Sequence, residues 1–178
     1  MAKTYLESSI QQFEYYKSLG EKTMLQVVEK ANENALFWQY NDESNSIATI
    51  VKHLSGNMLS RWTDFLTSDG EKAWRNRDTE FEHELETQAE VLTVWNKGWT
   101  CLFAALNSIN DDDLNTIIYI RNEPHTITEA INRQLAHYPY HIGQIVFLGK
   151  MICNENWQSL SIPKGKSANY NMVKFGEK

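Results

Sequence analysis

Three times along this chain a Thr-x-x-Glu tetrapeptide stands immediately ahead of apolar residues at helical spacing: Thr4-Tyr5-Leu6-Glu7, Thr87-Gln88-Ala89-Glu90 and Thr126-Ile127-Thr128-Glu129. In such a capping box the hydroxyl and the carboxylate satisfy backbone N–H groups that a helix leaves free at its start. Behind the first box, Leu6, Ile10, Phe13, Tyr16, Met24, Val27 and Val28 keep a helical period to about Lys30. Gly20 weakens the middle of this helix and marks a place where another helix packs close. Behind the second box come Val91, Leu92, Val94, Trp95, Trp99, Leu102, Phe103 and Leu106, with the Trp95/Trp99 pair read as core. Behind the third, Ile131, Leu135, Tyr138, Ile142, Ile145, Val146 and Gly149 face inward. One more helix has a simpler start: Asn45 or Ser46 caps a single stripe of Ile47, Ile50, Val51, Leu54, Met58, Trp62 and Phe65.

The segments between these helices differ in kind. Phe37 to Asn45 reads as a loop. Ser68 to Asp78 is charged and aperiodic, and we read it as a solvated connection with exposed ion pairs. The competing reading makes Trp74, Arg75 and Arg77 part of a rim for an anionic substrate. His83, among glutamates, reads as exposed. Thr116 to Ile120 has a strand's composition, Arg121-Asn122-Glu123-Pro124 turns the chain, and His125-Thr126-Ile127 leaves it, so a short β-hairpin is expected. From Asn154 onward no helical pattern is found, and 154–178 is expected to be an extended tail touching the rest through Trp157, Leu160 and Ile162.

The fold class that follows is all-α: one domain over 1–178, a four-helix bundle with a long connection between helices two and three and a hairpin before helix four. At 178 residues, with 42% hydrophobic residues and six Trp, the chain can bury a core and is not globally disordered. A net charge of −6 without a lysine- or arginine-rich run argues against nucleic-acid binding. No apolar run approaches the ~20 residues of a membrane span. The start, Met1-Ala2-Lys3-Thr4-Tyr5, does not read as a signal peptide. Cys101 and Cys153 have no metal-ligand spacing, so reduced thiols in a cytoplasmic protein are expected.

Candidate chemistry concentrates in Gln134-Leu135-Ala136-His137-Tyr138-Pro139-Tyr140-His141-Ile142-Gly143-Gln144. His137 and His141 stand at i and i+4, one above the other on a helix, so both imidazoles can reach one ion. Pro139 between them cannot donate to the Leu135 carbonyl, and a kink is expected. A His-x-x-x-His pair alone is weak evidence, and a third ligand must come from elsewhere. His53 lies on the shoulder of the helix-two stripe, either as a half-buried side chain bonded to a neighbour or as that third ligand.

The segments Asn45-Ser46-Ile47-Ala48-Thr49-Ile50-Val51-Lys52-His53-Leu54 and His137-Tyr138-Pro139-Tyr140-His141-Ile142-Gly143-Gln144-Ile145 resemble the DinB/YfiT-like superfamily. Asp69-Gly70-Glu71-Lys72, Arg75-Asn76-Arg77-Asp78-Thr79-Glu80-Phe81 and Ser161-Ile162-Pro163-Lys164-Gly165-Lys166-Ser167 look like a subgroup of unknown function within it. The resemblance covers nearly the whole chain. It implies a divalent ion on His53, His137 and His141, a small-molecule substrate and a homodimer. Some such proteins use low-molecular-weight thiols, and others are presumed hydrolases.

Three imidazoles would leave an open coordination position, as in catalytic rather than closed structural zinc sites. Such an ion can lower the pKa of a bound water, which suits a hydrolase, or deprotonate a bound thiol, which suits thiol transfer. Zn²⁺, Ni²⁺, Mn²⁺ and Fe²⁺ all accept imidazole. Asn57 and Gln144 are candidates to orient the imidazoles or the substrate. The reading is a metal-dependent transferase of a low-molecular-weight thiol to a small electrophile; a hydrolase and a non-catalytic metal- or ligand-binding protein are the alternatives.

Overall fold

The computed structural model is mainly helical and describes residues 3–82 and 85–176. Four long helices carry the core: α1 (Tyr5–Lys30), α2 (Ile47–Trp62), α3 (Gln88–Asn107) and α4 (Ile127–Cys153). All three Thr-x-x-Glu boxes form with both reciprocal bonds in place. At α2 the capping residue is Ser46, whose hydroxyl accepts the Thr49 N–H at 3.1 Å. Each such cap contributes about 1 kcal/mol.

Packing is pairwise: α2 lies chiefly against α3, and α1 against α4. Phe13, Leu54, Met58, Trp95, Trp99 and Tyr138 fill the space between them and are fully buried. At Gly20 the close approach is made by α3, because a Cβ there would stand 2.5 Å from the Trp95 ring. Pro139 sits inside α4, whose helical hydrogen bonding continues on both sides of it to Cys153.

Between α3 and α4, β1 (Ile117–Ile120) pairs antiparallel with β2 (Glu123–Thr126), with Ile118 opposite His125 and Ile120 opposite Glu123. The two linking residues, Arg121 and Asn122, have φ of 56° and 61°. This left-handed pair matches the twist of the strands, and Asp69 of the α2–α3 connection holds it. The Asp69 carboxylate accepts the N–H of Arg121 at 2.8 Å, of Asn122 at 2.7 Å and of Glu71 at 2.6 Å. Burial raises the pKa of this carboxyl, but the three N–H groups and the nearby Arg61 charge outweigh it and hold the pKa below its ordinary value. Asp69→Ala is expected to cost about 1–2 kcal/mol of stability, since hydrogen bonds to a half-exposed charged group are weakened by solvent. A group with a depressed folded-state pKa stabilises above its unfolded pKa and loses that effect as pH falls through the folded one. The difference in thermal midpoint between wild type and variant should therefore be full at pH 7 and shrink below about pH 4.

Two expectations need correction. The α2–α3 connection is solvated only in part: Trp74 and Arg77 are exposed and the Arg75 side chain is not. It folds back over α2 through a 3₁₀ turn at Asp78–Phe81, and the side chains of Arg75 and Glu80 are only 3% and 8% exposed. For that reason α2 is buried on nearly every side, including the polar Thr49, Ser55, Asn57, Ser60 and Arg61, rather than along one stripe. The second correction concerns the tail, which is not extended throughout. Trp157 packs on the core, Gln158 and Gln26 exchange hydrogen bonds at 2.9 and 3.0 Å, and Ser167–Phe175 forms helix α5. Ala168, Met172 and Phe175 supply an i, i+4, i+7 row that favours the helix, although none of α5 is buried. The expectation for His83 lies outside the described residues. Among the described helices none is long and apolar enough to cross a membrane, and neither cysteine is in a disulfide.

Candidate metal centre

His53 projects from the second turn of α2, and His137 and His141 from adjacent turns in the middle of α4. Their Nε2 atoms converge: His137 Nε2 lies 3.3 Å from that of His53 and 3.1 Å from that of His141. All three ligand atoms fall within 4.8 Å of one another, and the group could hold a metal ion. The two spacings from His137 suit the chemistry. Two nitrogens bonded at 2.0–2.1 Å to one tetrahedral centre stand about 3.3–3.4 Å apart.

The outer ring nitrogens decide which way the lone pairs point. His53 Nδ1–H donates to Glu80 Oε2 at 3.0 Å, and His141 Nδ1–H donates to Gln144 Oε1 at 2.9 Å. With the proton on Nδ1, each ring turns the lone pair of Nε2 toward the common centre. Burial, then repulsion from His141, His53, Arg61 and Arg133, pushes the pKa of His137 down to about 3. Burial also lowers that of His141, against the opposing hydrogen bond to Gln144. Both rings are therefore neutral, as ligands must be, near pH 7.

Glu80 is held in turn. Arg75 grips it with two bonds, Nε to Oε1 at 2.7 Å and Nη2 to Oε2 at 3.0 Å. Burial raises the pKa of Glu80, but the hydrogen bonds from His53 and Arg75 and the Arg75 charge bring it below the ordinary carboxylate value. Room for this carboxylate comes from Gly56, one turn beyond His53, where a Cβ would stand 2.2 Å from Glu80 Oε1. Gly56→Ala is expected to push Glu80 off His53 and weaken metal binding about 10–100-fold, the range for loss of a group that orients a ligand. Titration of the stripped protein with zinc and a competing chelator reads this directly.

Over the three imidazoles opens a cavity of about 300 Å³. Five arginines face it: Arg61 from α2, Arg75 and Arg77 from the connection, Arg121 from the hairpin turn and Arg133 from α4. Phe81 stacks on the His53 ring with centroids 5.2 Å apart and forms part of the wall. Among the described residues no Asp or Glu lines the cavity.

Of the two orienting candidates, Gln144 bonds an imidazole and Asn57 does not. Asn57 Oδ1 accepts the Tyr138 hydroxyl at 3.2 Å, and that hydroxyl accepts from Trp62 Nε1 at 3.1 Å. Asn57 still lines the cavity. Tyr138 is fully buried and Tyr140 exposed. The solvated reading fails for Arg75, whose side chain is buried, but holds for Arg77, which is exposed at the cavity edge. The sequence did not reveal Glu80 as a partner of His53. A glycine in mid-helix one turn from a candidate ligand was the available signal.

Over residues 1–166 the sequence matches the model of a family described as a protein of unknown function, DUF1572, and the chain belongs to that family. No curated protein and no solved structure matches it.

Proposed function

We propose that this DUF1572 member is a metal-dependent enzyme that transfers a low-molecular-weight thiol to a small electrophile, built on a four-helix bundle of the DinB/YfiT type. The observation that carries the reading is the convergence of three Nε2 atoms beneath an open cavity whose described lining contains no carboxylate. A divalent ion such as Zn²⁺, Ni²⁺, Mn²⁺ or Fe²⁺ on His53, His137 and His141 would supply an acid strong enough to deprotonate a coordinated thiol or water. Thiol transfer needs no separate side-chain base, which fits this lining. Hydrolysis commonly relies on one, and Glu80 is already engaged by Arg75 and His53.

The chain's own part is positioning. Glu80 and Gln144 fix the rings of His53 and His141, and the arginines favour an anionic sulfur and a departing anion in their field. In the transfer the thiol proton goes to solvent, sulfur forms a bond to the electrophilic carbon, and the leaving group departs with its bonding pair. The test uses metal-loaded protein with 1-chloro-2,4-dinitrobenzene and a panel of thiols. Metal-dependent, thiol-dependent turnover that disappears in His53→Ala supports the reading. Ester hydrolysis without thiol would move it to the hydrolases. Full metal occupancy with neither activity would favour a binding protein.

A further inference from the structure

The chain carries a net charge of −6, yet its candidate site gathers five guanidinium groups. Among the described residues two carboxylates answer them. Glu71 Oε2 pairs with Arg61 Nη1 at 3.2 Å and with Arg121 Nε at 3.0 Å, and Glu80 pairs with Arg75. Arg77 and Arg133 have no ion-pair partner among the described residues. Five positive charges against two negative ones leave the cavity strongly positive in an acidic protein. Like charges gathered around one small space repel, and a bound anion relieves that repulsion.

A second observation is independent of charge counting. Arg61 is 95% buried, and its Nη1 is used by the Gly70 carbonyl and Glu71, but its Nε is buried with no hydrogen-bond partner. Gln134, also buried against the cavity, has an amide oxygen without a partner; rotating the amide presents an N–H donor there instead. Buried polar groups are seldom left unpaired, and a lone donor at a cavity wall marks the place of an acceptor. Guanidinium forks match the planar oxygens of a carboxylate or the tetrahedral oxygens of a phosphate.

We infer that the cavity recognises a small substrate through a carboxylate or phosphate group held by the guanidinium groups of Arg61, Arg77 and Arg133, with the remainder of the molecule directed at the three histidines. Recognition of the anionic group stands on the arginines alone; only the direction of the reacting end rests on the metal-dependent reading above. A volume of about 300 Å³ limits the ligand to metabolite size.

The test is calorimetric titration of succinate, inorganic phosphate and the neutral succinamide into metal-loaded and chelator-stripped protein, with metal content measured on every sample. The variants are Arg77→Gln, Arg133→Gln and the double substitution, at exposed positions where the fold is not at risk. Succinate or phosphate should bind the stripped protein, weaken at least tenfold in the double variant and weaken further with added salt. Preference for one of the two anions identifies the group. Succinamide should bind at least tenfold more weakly than the preferred anion. Binding confined to metal-loaded protein and indifferent to both arginines would overturn the inference, because the anion would then be a metal ligand. So would equal binding of succinamide, or no binding of either anion. Arginine-dependent anion binding in protein that takes up no metal even after loading would support this inference while removing the metal-dependent reading.

Discussion

His137→Ala is expected to reduce bound divalent metal from about one ion per chain to less than about a tenth in untagged protein loaded with zinc and desalted. His137 stands between the other two ligands, with its Nε2 3.3 and 3.1 Å from theirs, so its loss leaves two donors with no third at bonding distance. The affinity should fall by more than the roughly 10–100-fold that loss of an orienting partner produces. Stability reports the same event. A ligand present at about 100 times its Kd adds about 2.7 kcal/mol to the folded state, worth roughly 5–10 °C in a domain of this size. Wild type should show that rise on adding zinc and the variant should not. Without metal the two midpoints should lie close together, because His137 is only half-buried.

Glu80→Ala should have the largest effect on the fold of any single change at the centre. It strips the acceptor from His53 Nδ1 and leaves the Arg75 guanidinium buried, with only the 4.0 Å approach to Glu71 as compensation. Removing one member of a buried ion pair costs about 3–5 kcal/mol, because the remaining charge stays out of water. That predicts a fall in thermal midpoint of roughly 6–20 °C. Glu80→Gln keeps an oxygen for His53 and should lose less. Replacing both partners, as in Arg75→Met with Glu80→Leu, should recover much of the stability, since an apolar pair of similar volume leaves no charge stranded. It should not recover metal affinity, because His53 would still lack an acceptor. This split between folding and binding separates an orienting carboxylate from a merely structural one.

These residues show where the sequence was readable. The helix starts were legible because a capping box is local: Thr4, Thr87 and Thr126 each act within four residues of themselves. His137 and His141 were legible as a pair for the same reason, since helical spacing alone brings them together. His53 could be placed on the correct side because its helix carries a clear apolar stripe. Glu80 and Arg75 could not be found this way. They lie in an aperiodic segment, and their burial arises only when that segment folds across α2, a tertiary event with no periodic trace. Gly56 was the one local mark of it. The five arginines come from four separate elements, so no window of sequence contains their convergence.

The most direct measurement is anomalous diffraction from crystals grown with zinc, recorded on both sides of the zinc absorption edge. A single strong peak is expected within about 2.0–2.2 Å of Nε2 of His53, His137 and His141, with its open side toward the arginine-lined cavity. No peak at that point in zinc-loaded crystals, or a peak bound by His137 and His141 with the His53 ring turned away, would contradict a three-histidine centre.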